Sequence, residues 1–105
     1  MNRVSIVNAI NIGNIEWRQH ALERMLQRGI SRNEVKLAIK NGEIIEEYEN
    51  DMPFPSALFF YCFSKTIHVV ASFDEETKII YVITAYVPDS QYFNDDLKTR
   101  RQNEN

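Results

Sequence analysis

His20, Arg24 and Arg28 recur at every fourth position, a spacing that lays three side chains along one side of a helix. An imidazole titrates near neutrality, and a guanidinium can hold two phosphate oxygens at once. The stripe therefore has the groups that phosphodiester chemistry needs. It equally suits a solvated polar face, because Arg28 falls near the border of the apolar side and His20 nearly opposite its centre. The second histidine, His68, stands in the apolar stretch Thr66 to Phe73, where charging it is costly unless it meets a partner. A satisfied core histidine is one reading of it. A five-residue turn after Phe73 gives the other: Phe73 then pairs with Ile79, His68 lies opposite Thr84, and Tyr86 sits diagonally on the same face. A four-residue turn would send Thr84 to the opposite face.

Metal chemistry has little footing. Two distant histidines and the single cysteine, Cys62, offer none of the usual ligand spacings, and the acidic run from Glu46 to Asp51 lacks the spacing of a calcium loop and reads as a solvated edge. No cofactor is expected. Cys62 has no partner for a disulfide, and its place in the apolar run Ala57 to Phe63 predicts a buried thiol.

The net charge of −3 argues against a generic coat for nucleic acid, whose phosphates are bound mainly by neutralising them. The charge is divided unevenly, however. Up to Lys40, seven basic residues face three acidic ones, and beyond it five face twelve. A basic helical layer beside an acidic strand layer can focus a polyanion on one side, or the two can be ordinary solvated faces.

The elements that must position these groups follow from periodicity. Val4 to Ile12 reads as a short helix stopped by Gly13, and Gln19 to Arg28 as a second, with Ala21, Leu22, Met25 and Leu26 on one side and Gly29 as its left-handed stop. Ser31-Arg32-Asn33-Glu34 matches a capping box and opens a third helix, which Asn41-Gly42 closes. From Glu43 the period becomes two. Strands are predicted over Glu43 to Glu49, Ala57 to Phe63, Thr66 to Phe73 and Ile79 to Tyr86, with a loop carrying Pro53 and Pro55 after the first. Pro88 ends this meander. A short helix around Tyr92 to Leu97 is expected after it, then a flexible tail over 98–105. The whole is an α+β fold: short N-terminal helices packed on an antiparallel sheet of about four strands, in one domain whose core spans about 15–90. Met1-Asn2-Arg3 is not followed by the long apolar stretch of a secretory signal, and no run is long enough to span a bilayer. The expected compartment is the cytoplasm, with no membrane partner.

A wider pattern joins these pieces. His20-Ala21-Leu22-Glu23-Arg24-Met25-Leu26-Gln27-Arg28-Gly29-Ile30-Ser31, then Asn41 to Tyr48, Pro53 to Ser56, His68-Val69-Val70 and Tyr81 to Tyr86 with Pro88-Asp89, resemble a bacterial domain family of unknown function over residues 15 to 101. That family is similar to MqsR-like and, more distantly, RelE-like and barnase-like ribonuclease toxins of type II toxin-antitoxin systems. The resemblance implies a compact fold of helices on an antiparallel sheet and metal-independent cleavage of RNA by 2′-hydroxyl attack. It further implies a cognate antitoxin of zinc-finger or helix-turn-helix type. On the matching motifs it carries over His20, Arg24, His68 and Tyr86 as catalytic candidates, with Arg28 and Thr84 as RNA-binding or supporting residues. The acidic balance departs from the basic character usual in such toxins. A non-catalytic protein-interaction module is the rival reading, with the polar stripe gripping a partner and the strands offering an edge.

Overall fold

The computed structural model describes residues 1–102. Three helices, α1 (Arg3–Ile12), α2 (Gln19–Arg28) and α3 (Arg32–Asn41), and five strands, β1 (Ile15–Trp17), β2 (Glu43–Tyr48), β3 (Ser56–Cys62), β4 (Thr66–Asp74) and β5 (Ile79–Tyr86), make up an α+β fold. Local chemistry sets the helix limits. The Asn2 side chain accepts from the Ser5 N–H and starts α1. Ser31 and Glu34 form the reciprocal capping box that starts α3. Gly13 and Gly29, at φ of +79° and +66°, end α1 and α2 in the left-handed conformation that costs glycine nothing. Gly42 serves a different purpose, because a Cβ there would lie 2.3 Å from the Ala38 carbonyl oxygen and 2.6 Å from that of Phe60. Only a bare Cα lets α3 close so tightly onto the start of β2.

The sheet order is β1-β5-β4-β3-β2. Strands β2 to β5 form the expected antiparallel meander. The fifth strand is a correction to the expected count: Ile15–Trp17 pairs with β5 in parallel, Ile15 beside Ile80 and Trp17 beside Val82, so the sheet is mixed. Three residues carry too short a period to announce a strand, and the pairing follows from a backbone bond, Ile80 N–H to the Asn14 carbonyl at 3.0 Å, that leads β1 into the ladder.

All three helices cover one face of the sheet. Ile6, Ala9, Ala21, Met25, Val35, Ala38 and Ile39 close on the alternate strand residues Ala57, Phe59, Ile67, Val69, Ala71, Phe73, Ile80, Val82 and Ala85 in one apolar cluster. Burial of that surface is the main force holding the fold. The core thus reaches back into α1, beyond the 15–90 read from the sequence.

The opposite face is crossed by the chain after β5, and here two expectations fail. Tyr92 to Leu97 is not helical but a series of turns with one bridge, Phe93 to Arg100. Asp89 accepts from the Gln91 N–H and Asp96 from those of Lys98 and Thr99, and such side-chain bonds compete with a helix for the same donors. Nor are residues 98–101 a free tail, since Lys98, Arg100 and Arg101 all make ion pairs; the last three positions of that stretch, 103–105, lie outside the described residues. Cys62 is a further correction: β3 runs out of the core at its last residue and the thiol is exposed. Among the described residues, no helix is long and apolar enough to cross a membrane.

Candidate functional site

Two β-bulges decide which side chains meet on the face away from the helices. Between β4 and β5 the register slips at Val70/Ala71, so that Asp74 pairs with Ile79 but His68 pairs with Tyr86 and Val70 with Thr84. Without the extra residue, Ile83, His68 would face Ala85 and Tyr86 would not oppose it. The second bulge lies between β2 and β3. There Ile44 pairs with Phe59 and Glu46 with Leu58, so Ile45 is passed over and Glu46 is turned onto the face that holds Leu58, Phe60 and His68. Each bulge therefore brings one polar side chain to a common surface.

His68 is the centre of that surface, and it is fully buried. Its Nδ1 lies 3.3 Å from the Tyr86 hydroxyl and its Nε2 lies 2.6 Å from the Leu97 carbonyl oxygen. A carbonyl only accepts, so the ring proton sits on Nε2, and Nδ1 is left as the acceptor for the Tyr86 O–H. Phe93 meets the imidazole edge-on at 4.7 Å between ring centres, and Phe60 at 6.0 Å. Burial pushes the His68 pKa below its ordinary value and the Arg100 charge adds to this, against the opposing pull of the Leu97 carbonyl and of Glu46. The ring is neutral at pH 7. Burial likewise raises the Tyr86 pKa and keeps its hydroxyl a donor.

Beside this pair stands an ionic group. Arg100 grips Glu46 with Nε at 2.8 Å and Nη2 at 3.2 Å, a bidentate fork, and the Tyr48 hydroxyl donates to the same carboxylate. Burial would raise the Glu46 pKa, but the Arg100 and Tyr48 hydrogen bonds outweigh it and hold the carboxyl below its usual range. Tyr48 is pushed up by burial and by its bond to Glu46. Lys98 lies 4.7 Å from the centre of the Phe60 ring and 3.4 Å from Glu43, which closes the cluster along β2.

The predicted residues divide. His68 and Tyr86 are in direct contact, through facing strand positions rather than the diagonal expected. Thr84 shares their face one pair further along, opposite Val70 and not His68. Arg28 approaches from α2 and donates from Nη1 to the Ala85 carbonyl at 2.9 Å, close enough for its charge to act on Tyr86. His20 and Arg24 lie on the exposed side of the same helix, and among the described residues neither hydrogen-bonds to the cluster. Glu46, Tyr48 and Arg100 escaped the sequence reading. The first two stood in an acidic run taken for a solvated edge, and Arg100 in a stretch taken for a tail; the bulge at Ile45 and the return of the chain over the sheet leave no local pattern.

The cluster holds a neutral base, a phenol in its neutral form and a guanidinium within one surface, a set suited to moving protons around a phosphate. Among the described residues, no group of three histidine, cysteine, aspartate or glutamate side chains could hold a metal ion.

A family model matches residues 17–87, described as a domain of unknown function, DUF4258. The match takes in α2, α3 and β2 to β5, and the chain belongs to that family. No curated protein and no solved structure matches the chain.

Proposed function

We propose that this protein is a metal-independent endoribonuclease of the toxin type, with His68 and Tyr86 as its proton-transfer pair. The observation that carries the reading is the hydrogen bond from the Tyr86 hydroxyl to the free Nδ1 of a neutral, buried His68, with a guanidinium next to it. In the reaction, Nδ1 takes the proton of a ribose 2′-hydroxyl as the 2′-oxygen attacks the adjacent phosphorus. Tyr86 gives its proton to the departing 5′-oxygen and regains one from His68, so the enzyme ends unchanged and the RNA ends in a 2′,3′-cyclic phosphate and a 5′-hydroxyl. Arg28, which already reaches the end of β5, and Arg100 offset the charge on the phosphorane. Arg24 and His20, one and two turns back along α2 on the helix side, offer a basic track for flanking backbone that passes round the β5 edge where Arg28 sits. Thr84, on the same face, supports the bound strand.

The test is folded protein incubated with RNA in excess chelator, followed by analysis of the new ends. Cyclic-phosphate and 5′-hydroxyl ends are expected; RNA left intact both with and without ribosomes would remove the proposal.

One observation favours the rival reading of a protein-interaction module. Leu26 is 84% exposed on α2, beside a groove of about 290 Å³ lined by Leu22, Met25, Ile30 and Arg32, and an apolar side chain so placed suits a protein partner. The two readings are compatible if that partner is an antitoxin.

A further inference from the structure

His68 is sealed, and what seals it on the outer side is a single segment. The Leu97 carbonyl on Nε2, the Phe93 ring on its edge and the Arg100 charge beside it all come from the chain after Pro88. That segment has no regular element of its own beyond one bridge, and most of its residues from Asp89 to Arg101 are exposed. Its shape is held from within by Asp96, which accepts from the Lys98 and Thr99 N–H groups and from the Thr99 hydroxyl. Its grip on the sheet joins the buried Phe93 ring to a partly wet ion pair: the Arg100 side chain is 54% exposed where it meets Glu46. Leu97 offers its carbonyl to His68 from a left-handed backbone, at φ of +59°, a conformation that costs a branched residue about 1 kcal/mol.

We infer that residues 89–101 form an autoinhibitory strap, which closes the His68–Tyr86 site and lifts as one piece when the Arg100–Glu46 grip is released. The inference rests on the proposed reading for what lies beneath the strap, but not for its movement. A phosphate-bearing strand is the natural release agent, because it offers Arg100 the same bidentate acceptor geometry as Glu46. Lifting the strap frees Nε2 and opens the Tyr86 hydroxyl to solvent while the helix-side core is untouched. Catalysis is thereby confined to molecules whose strap has been displaced, with Arg100 passed from Glu46 to the substrate phosphate.

The movement is measured by acylation of His68 with diethyl pyrocarbonate in the full chain, read by mass spectrometry, with the exposed His20 as internal reference and backbone hydrogen exchange of β4 and β5 as the measure of global opening. Two variants loosen the strap by different routes: Arg100→Ala removes the grip, and Asp96→Ala removes the internal brace, a side chain that bonds within the strap and, among the described residues, to neither His68 nor Tyr86. His68 should be acylated at least about tenfold faster in both, with the rate at His20 and the exchange of Val69 and Val82 unchanged. An unchanged His68 rate in both variants would overturn the strap, as would a rise that appears only together with faster exchange of the core amides. RNA cleavage in Asp96→Ala separates the two claims. Faster acylation with faster cleavage supports both, whereas faster acylation with intact RNA leaves the strap standing and removes the ribonuclease.

Discussion

The Tyr86 hydroxyl lies 3.3 Å from Nδ1 of His68 across the β4–β5 ladder, and it is there because one residue, Ile83, is passed over in the pairing. Tyr86→Phe keeps the ring against the imidazole and removes only the donor. The folded state then loses one hydrogen bond, worth about 1 kcal/mol, seen as a small drop in the urea midpoint. Cleavage of RNA should fall by about 100-fold or more. A loss of stability without a loss of cleavage would place Tyr86 in a structural role alone.

The buried imidazole also sets a pH dependence. His68 has an ordinary pKa of 6.5 in the unfolded chain and a lower one in the fold, where burial and Arg100 outweigh Leu97 and Glu46. Between those two values the unfolded chain binds the extra proton, so this part of the stability is complete above about pH 6.5 and is lost as pH falls from there toward the folded value. Glu46, whose pKa is lowered from 4.5, adds a separate loss as pH falls below that figure. Urea titrations at steps from pH 8 to 5 should show wild-type stability declining below 6.5, and His68→Gln should lack that decline. Parallel profiles for the two proteins would contradict the assignment of a depressed pKa.

Gly42 offers a test of how the fold places Glu46. A methyl group there would meet two backbone oxygens, those of Ala38 and Phe60, at 2.3 and 2.6 Å, and neither can swing aside as a side chain would. Gly42→Ala should therefore cost about 2 kcal/mol or more, at the severe end for a single added carbon. The same displacement moves the start of β2 and with it the carboxylate that holds Arg100. Reduced stability accompanied by faster acylation of His68 is the expected pair of results; stability within about 0.5 kcal/mol of wild type would show that α3 and β2 yield easily.

How far the sequence reached depended on whether a feature has a local cause. The capping box at Ser31 and Glu34, the left-handed stop at Gly29 and the apolar spacing of Ala21 and Met25 are written within a few residues, and α2 and α3 lie where those signals put them. The antiparallel meander was readable for the same reason, from the change of period at Gly42. Register was not. Instead of five residues after Phe73, the turn is four residues after Asp74, which pairs with Ile79, and the bulge at Ile83, four positions later, restores the contact between His68 and Tyr86 by another route. No single strand contains the information for a bulge, because it is settled by what two strands bury together. Arg100 was illegible for a related reason: a polar segment rich in aspartate reads as solvated until a sheet face is present to receive it.

His20 and Arg24 are exposed on α2, and the proposed track for RNA is their only assigned role. Replacing either with alanine should leave the melting curve within about 0.5 kcal/mol of wild type, since no buried contact is lost. RNA binding should weaken, and for Arg24→Ala the slope of log affinity against log salt should become shallower by nearly one for the phosphate contact removed. An unchanged salt slope would take Arg24 out of the substrate path and leave Arg28 as the one contact from α2.

The most direct measurement is the rate of cleavage of an RNA in excess chelator by wild-type protein and by His68→Gln, each shown to be folded at the assay temperature. Wild type should yield 2′,3′-cyclic phosphate ends, and His68→Gln should be slower by about 100- to 10,000-fold, the range for loss of a proton-transfer group. Equal rates in the two proteins, or cleavage by wild type that stops when metal is removed, would contradict the account.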